Sequence, residues 1–123
     1  MPHTDLPLFA ISKLEAFCGQ HPEQRRMLDE LVARMIAQLP LDVAAAEQAW
    51  QTGSLAEAAG LLHGARGAVA AIGAQRFAAV AHALQILLST PDSAPAALAA
   101  GFADLRAVLA DTLAAAQAWR ART

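Results

Sequence analysis

The chain lacks the features that would make several common functions possible. It has one cysteine in 123 residues, Cys18. A lone thiol excludes an internal disulfide framework and a cysteine-based zinc site. Cys18 sits on an early predicted helix, where it reads as a small buried apolar residue rather than an activated thiol. Tyrosine is absent and aromatics are 5% of residues. Net charge is −2 and the isoelectric point is near 6.0. Without a basic stripe to neutralise phosphates, nucleic acid is not expected as a partner, and neither is an anionic membrane. Every apolar stretch is broken by charges, Gly or Pro well short of membrane-spanning length. The start, MPHTDLPLF, has no basic segment followed by an apolar run, so no signal peptide is expected and the cytoplasm is the expected compartment.

Strand signals are missing too. No segment alternates apolar and polar residues, and Val, Ile and Thr are sparse beside Ala and Leu. Hydrophobic residues nevertheless make up 56% of the chain, enough for a core and too many for a disordered segment. Because much of that fraction is alanine, helices can approach closely while each contact buries little area. The length suits one domain spanning 1–123, with an ordered core over about 9–119.

Helical periodicity places five segments. A short first helix is predicted over about 6–18, with Asp5 as its cap, Pro7 in its first turn, Phe9, Leu14 and Phe17 as its apolar residues, and Gly19 at its end. The second begins near Pro22 and carries Met27, Leu31, Met35 and Leu39 at four-residue spacing. Pro40 should kink it near Ile36 without stopping it, and it resumes through Leu41, Val43 and Trp50 to Gly53. Ser54-Leu55-Ala56-Glu57 fits a capping box at the start of the third helix. Its predicted stripe is Leu55, Ala59, Leu62, Val69 and Ile72, and Gly73 closes it. The fourth runs over about 74–88, with Phe77, Val80, Leu84 and Leu87 inward. Ser89 to Ser93 is a turn. Ser93 is expected to cap the last helix, whose seam is Leu98, Phe102, Leu105, Leu109, Leu113 and Ala116, ending at Trp119. Four long helices joined by short loops point to an all-α antiparallel four-helix bundle, with the short N-terminal helix lying across one end.

Of the four histidines, His3, His21 and His82 read as a residue of a disordered start, a turn residue and a surface or satisfied core residue. His63 stands apart. Its neighbours on a helix are positions 59, 60, 66 and 67, here Ala59, Gly60, Arg66 and Gly67. Gly60, Gly64 and Gly67 each cost about 0.8–1 kcal/mol relative to alanine in a helix interior. An alanine-rich chain had a cheaper option at each, which implies close approach of something to the imidazole. Helical geometry sets His63 about 100° round from Leu62, on the shoulder of the core stripe. Imidazole is nucleophilic near neutral pH, and Arg66 can supply charge-assisted hydrogen bonds to a phosphoryl group it carries. No general base lies beside it: Glu57 is nearly two turns away and Asp92 is in a distant loop. Hydrolase chemistry is therefore disfavoured, and a residue that receives and passes on a group is favoured. Pairing the third and fourth helices about Gly73 brings position 63 level with about position 83, so His82 could approach His63. Two histidines without a third ligand do not make a stable metal site, and no metal is expected.

The string His63-Gly64-Ala65-Arg66-Gly67-Ala68-Val69-Ala70-Ala71-Ile72-Gly73 resembles the H-x-x-K-G signature of the histidine-containing phosphotransfer (HPt) domain of multistep phosphorelays. The Leu39-Pro40 pair and the short polar turn before the histidine helix are similar to family features as well. The resemblance covers about 9–119. It implies that His63 is the phosphoacceptor on its outer imidazole nitrogen and that Arg66, at the lysine position, stabilises the phosphoryl group. Gly67 would leave space for a receiver domain, with Gly64 and Gly60 on the same face. Gln85 matches a position where the family often has Glu or Gln, and would orient the imidazole or contact phosphate. This sequence departs from the pattern at Arg66, Ala65 and Ala68.

The implied function is a free-standing phosphocarrier relaying phosphoryl between the aspartate of a hybrid sensor kinase's receiver domain and that of a response regulator. It would have no kinase activity of its own. No cofactor is implied; Mg²⁺ would sit in the partner receiver. A monomer is the simplest oligomeric state. Two other readings stay open on the residues alone, a non-catalytic helical adaptor with a degenerate HPt-like fold and a metal-binding bundle.

Overall fold

The computed structural model describes residues 5–18 and 21–122, with the backbone alone for Lys13 and Phe17. It is all-α, with five helices: α1 (Ser12–Cys18), α2 (Pro22–Gln51), α3 (Leu55–Ala70), α4 (Gln75–Ser89) and α5 (Pro95–Arg122). Helices α2 to α5 close into a four-helix bundle, each packing on the next and α5 returning to α2, while α1 lies against α2.

The reason for closure lies in the buried faces. Helix α2 buries Leu28, Val32, Met35, Leu39, Val43, Ala46 and Ala49, and α5 buries Leu98, Phe102, Leu105, Val108, Thr112, Ala116 and Trp119. Alternation of three- and four-residue steps keeps each set on one side of a 3.6-residue helix. Phe77 and Phe102 are the largest side chains with no exposure, and burying each contributes about 1.5–3 kcal/mol. Trp50 stacks on Phe102 with ring centroids 4.7 Å apart. Thr112 is the buried polar exception, and its hydroxyl donates to the Val108 carbonyl at 2.7 Å, so its burial leaves no unmet hydrogen bond. Outside the core, Arg120 of α5 grips Asp29 of α2 with two hydrogen bonds of 3.0 and 3.2 Å. That hydrogen bond, before the charge itself, holds the Asp29 carboxyl below its ordinary range. Stability from this pair is therefore present above the usual carboxylate pKa and is lost as pH falls through the lowered one.

Several expectations are corrected here. The four-residue spacing in α2 pointed inward from Met27 and Leu31, yet these are 63% and 44% exposed, and Leu28 and Val32 hold the core one position on. The true stripe steps by 4, 3 and 4, which a run of fours drifts away from. Leu55 of α3 is likewise exposed, while Ala58 and Ala65 are buried. In α5, Val108 and Thr112 take the inward positions expected of Leu109 and Leu113. Ser54 is the cap residue of α3 but its hydroxyl makes no capping bond, so the capping box is not formed. The Ser93 hydroxyl turns back to the Leu87 and Thr90 carbonyls at 2.7 and 3.1 Å, closing α4 rather than opening α5. Cys18 is half-buried rather than buried. Pro40 lies inside a continuous α2, as expected. The side chain of Phe17, and His3 and Gly19 entirely, fall outside the described residues.

The largest correction is the first helix, which begins at Ser12 and not near Leu6. Asp5 caps nothing helical. Residues 5–11 instead cross the turn between α3 and α4. Ala10 N–H donates to the Gly73 carbonyl at 2.9 Å, the Arg76 amide donates to the Pro7 carbonyl at 3.0 Å, and Arg76 Nε donates to the Leu6 carbonyl at 2.8 Å. Backbone groups that a helix would have used are satisfied by this strap. Gly73 makes the crossing possible. Its φ is +95°, and a Cβ there would lie 1.9 Å from the Ala10 carbonyl oxygen. Gly53 also has positive φ, +85°, but a Cβ there would meet nothing within 4 Å. Gly53→Ala should therefore cost only the left-handed strain, about 1–2 kcal/mol. Gly73→Ala should cost clearly more, because the strap must also move. Urea unfolding of the two variants checks the order.

Candidate functional site

Helix α3 has 16 residues and carries three glycines, so its stability comes from packing rather than propensity. Its buried set is Ala58, Ala59, Leu62, Ala65 and Val69. His63, Gly60, Gly64 and Gly67 fall on the opposite, exposed side. A Cβ at any of these three glycines would meet nothing within 4 Å. The fold does not require them to be glycine, and the surface beside His63 is left low and open. Ala65, where the family often has a larger residue, is buried against the bundle. Ala68 is exposed.

Two side chains reach the imidazole, one along α3 and one across the antiparallel pairing of α3 with α4. Arg66 lies one turn along α3, and its guanidinium Nη2 is 3.1 Å from His63 Nδ1. Gln85 reaches across from α4, with its amide nitrogen 3.4 Å from the same Nδ1. Two donors thus converge on the inner ring nitrogen. The outer nitrogen, Nε2, has no hydrogen-bond partner among the described residues. His63 is solvent-exposed while Arg66 and Gln85 are half-buried. Arg66 Nε and Gln85 Oε1 are buried and unpartnered, an arrangement that costs about 1–3 kcal/mol per group unless something satisfies it.

All six sequence-predicted positions therefore share one surface. His63, Arg66 and Gln85 are in contact, and Gly60, Gly64 and Gly67 form the clearing around them. His82 lies one turn from Gln85 on α4 and is exposed, and His21 precedes α2 at the far end of that helix. Among the described residues, no group of three or more His, Cys, Asp or Glu side chains is placed to hold a metal ion. No described helix is long and apolar enough to cross a membrane.

The family model for the Hpt domain matches residues 14–119. The chain belongs to the Hpt domain family. Hpt domains are phosphocarriers of phosphorelay signalling, not kinases, and they exchange a phosphoryl group between a histidine and receiver domains. Neither a curated protein nor a solved structure matches the chain.

Two features near the site went unread in the sequence. Ile86, next to Gln85, is 53% exposed. An open depression of about 360 Å³ lies between α2 and α3, lined by Leu31, Met35, Leu39, Ala68, Val69 and Ile72 among others. Apolar spacing alone suggested that Leu31 was core, so periodicity held no signal for either feature.

The glycine clearing yields a prediction that separates function from stability. Gly64→Ala and Gly67→Ala should each stabilise the isolated fold by up to about 1 kcal/mol, since the added methyl meets nothing and alanine is the better helix former. Both should slow phosphoryl exchange with a receiver domain. Chemical denaturation alongside a transfer assay reads both effects.

Proposed function

We propose that this Hpt protein carries phosphate on Nε2 of His63 and relays it between the aspartates of two receiver domains, one in a hybrid sensor kinase and one in a response regulator. The observation that carries this reading is the setting of the ring: Arg66 and Gln85 contact Nδ1 and fix the ring's direction, and three glycines leave the surface beside the exposed imidazole open. A nucleophile held by one nitrogen presents the other in a fixed direction, which reduces the orientational cost of attack.

In this mechanism the receiver docks over Gly60, Gly64 and Gly67, and exposed parts of α2, α3 and α4 form the footprint. Ile86 gives that footprint an apolar contact. The lone pair of Nε2 attacks phosphorus, the N–P bond forms, and the bond to the aspartate oxygen breaks with its electrons remaining on the carboxylate. Transfer onward reverses these steps. Arg66 balances phosphoryl charge through its fork of donors. Mg²⁺, bound in the receiver, supplies the remaining charge neutralisation, and this chain contributes no metal ligand and no base. In this reading it has no kinase activity of its own and moves phosphate only between partners. It works as a monomer in the cytoplasm.

Purified protein incubated with phosphoramidate should gain one acid-labile phosphate on His63, found by mass spectrometry at mildly alkaline pH and lost to an added receiver domain. His63→Gln should abolish both steps with the helical circular-dichroism spectrum and melting temperature unchanged, because the side chain is exposed. A folded wild type that takes phosphate neither from phosphoramidate nor from a phosphorylated receiver would sink this reading and favour a helical adaptor.

A further inference from the structure

We infer that Arg66 gates the nucleophile: its guanidinium, seated on Nδ1 of His63, holds the imidazole in the tautomer that is protonated on Nε2, and the site becomes reactive when Arg66 leaves and the Gln85 amide turns to accept a hydrogen bond from Nδ1–H. The inference rests on His63 being the phosphoacceptor.

The argument is one of donors and lone pairs. A guanidinium has only N–H donors, so its 3.1 Å contact with Nδ1 requires a lone pair on that nitrogen. Neutral imidazole then carries its single proton on Nε2. Gln85 aims a second donor at the same lone pair from 3.4 Å. Meanwhile the acceptor in the site, Gln85 Oε1, is buried with nothing to accept, and Arg66 Nε is buried with nothing to donate to. A half-turn of the Gln85 amide exchanges its oxygen and nitrogen with almost no change of shape. Oε1 then occupies the position facing Nδ1 and accepts a hydrogen bond from its N–H. Arg66 cannot stay at 3.1 Å from an N–H, since two donors would face each other. Amide rotation, proton shift and departure of Arg66 are thus one coupled change.

The resting tautomer is the wrong one for attack through Nε2, whose lone pair is committed to its N–H. Glu57, the acidic residue of α3, lies nearly two turns from His63 and cannot remove that proton. In the other tautomer Nε2 is free. It attacks phosphorus, the leaving group departs with the electron pair of the broken bond, and the ring keeps its proton on Nδ1 against Gln85 Oε1. The tautomer exchange consumes nothing, because the exposed ring loses one proton to water and gains another. Arg66, released, remains one turn from His63, where its fork can engage the phosphoryl oxygens. A lysine at this position would be a compact, strongly hydrated point charge without the planar fork, so it should hold Nδ1 less firmly.

The test is nitrogen and carbon NMR of the labelled full chain at about pH 8, well above the ordinary imidazole pKa, with His63 assigned by loss of its signals in His63→Gln. The rate of phosphorylation by phosphoramidate is measured beside it. Wild-type His63 should be mainly the Nε2–H tautomer. Gln85→Glu, whose carboxylate can only accept, and Arg66→Lys should each shift it toward Nδ1–H. Gln85→Glu, which keeps the Arg66 fork, should also speed phosphorylation about fivefold, the factor conferred by one hydrogen bond of ordinary net strength. A wild type that is phosphorylated at His63 yet rests as Nδ1–H overturns the gate alone. So does a Gln85→Glu protein whose tautomer shifts while its rate does not rise. A wild type that phosphoramidate cannot phosphorylate at His63 overturns the gate together with the phosphoacceptor assignment.

Discussion

The antiparallel pairing of α3 with α4 is the constraint on which the site depends. It carries Gln85 across to an imidazole twenty-two residues earlier in the chain. Its geometry is set at the turn, where Gly73 adopts a conformation closed to other residues without strain and the strap through Ala10 presses against it. A shift of α4 along α3 by one residue would turn Gln85 by about 100°, away from His63. Because side chains in a close-packed interior adjust in discrete steps, the buried faces of the two helices, with Ala59 and Leu62 on α3 and Val80, Ala81 and Leu84 on α4, keep that register.

Around this pairing the bundle separates its tasks by face. Apolar side chains on the inward stripes hold the four helices together, and the outward face of α3 is left almost bare. Three helix-interior glycines on one exposed surface weaken the helix, and the tertiary contacts of its other face offset the loss. Such a local concession has no packing reason behind it, and it falls on the surface over which a receiver is proposed to dock. The polar contacts at His63 have the same character. They are half-buried and incompletely satisfied, unlike the fully satisfied Thr112 in the core.

Much of this was legible in the residues. Helix number, the continuity of α2 through Pro40, the bundle and the grouping of His63 and Arg66 with three glycines followed from periodicity and a short motif, and the place of Gln85 beside them was implied by the family resemblance. The errors share a cause. Leu31 and Leu55 look like core residues because an apolar side chain carries no label for the face it will occupy when both faces of a helix offer candidates. Ser54 and Ser93 sit where caps belong, but a hydroxyl bonds to whichever carbonyl or amide the neighbouring turn brings near, and for Ser93 that was the end of α4. The segment from Asp5 to Ile11 has an adequate local helix signal, and only the distant Gly73 and Arg76 explain why it is extended instead.

By itself the sequence determined what is local: the helical segments, the exposed histidine on a stretch stripped of bulk, and the cation one turn away. Those depend on spacing along a 3.6-residue helix, which is fixed once the helix forms. Tertiary structure decided that Gln85 reaches Nδ1 of His63 from the facing helix and that the N-terminal segment fastens the α3–α4 turn. Each of these is a hydrogen bond or close contact between residues far apart in the chain, and such a bond exists only when packing sets donor and acceptor within about 3 Å of each other.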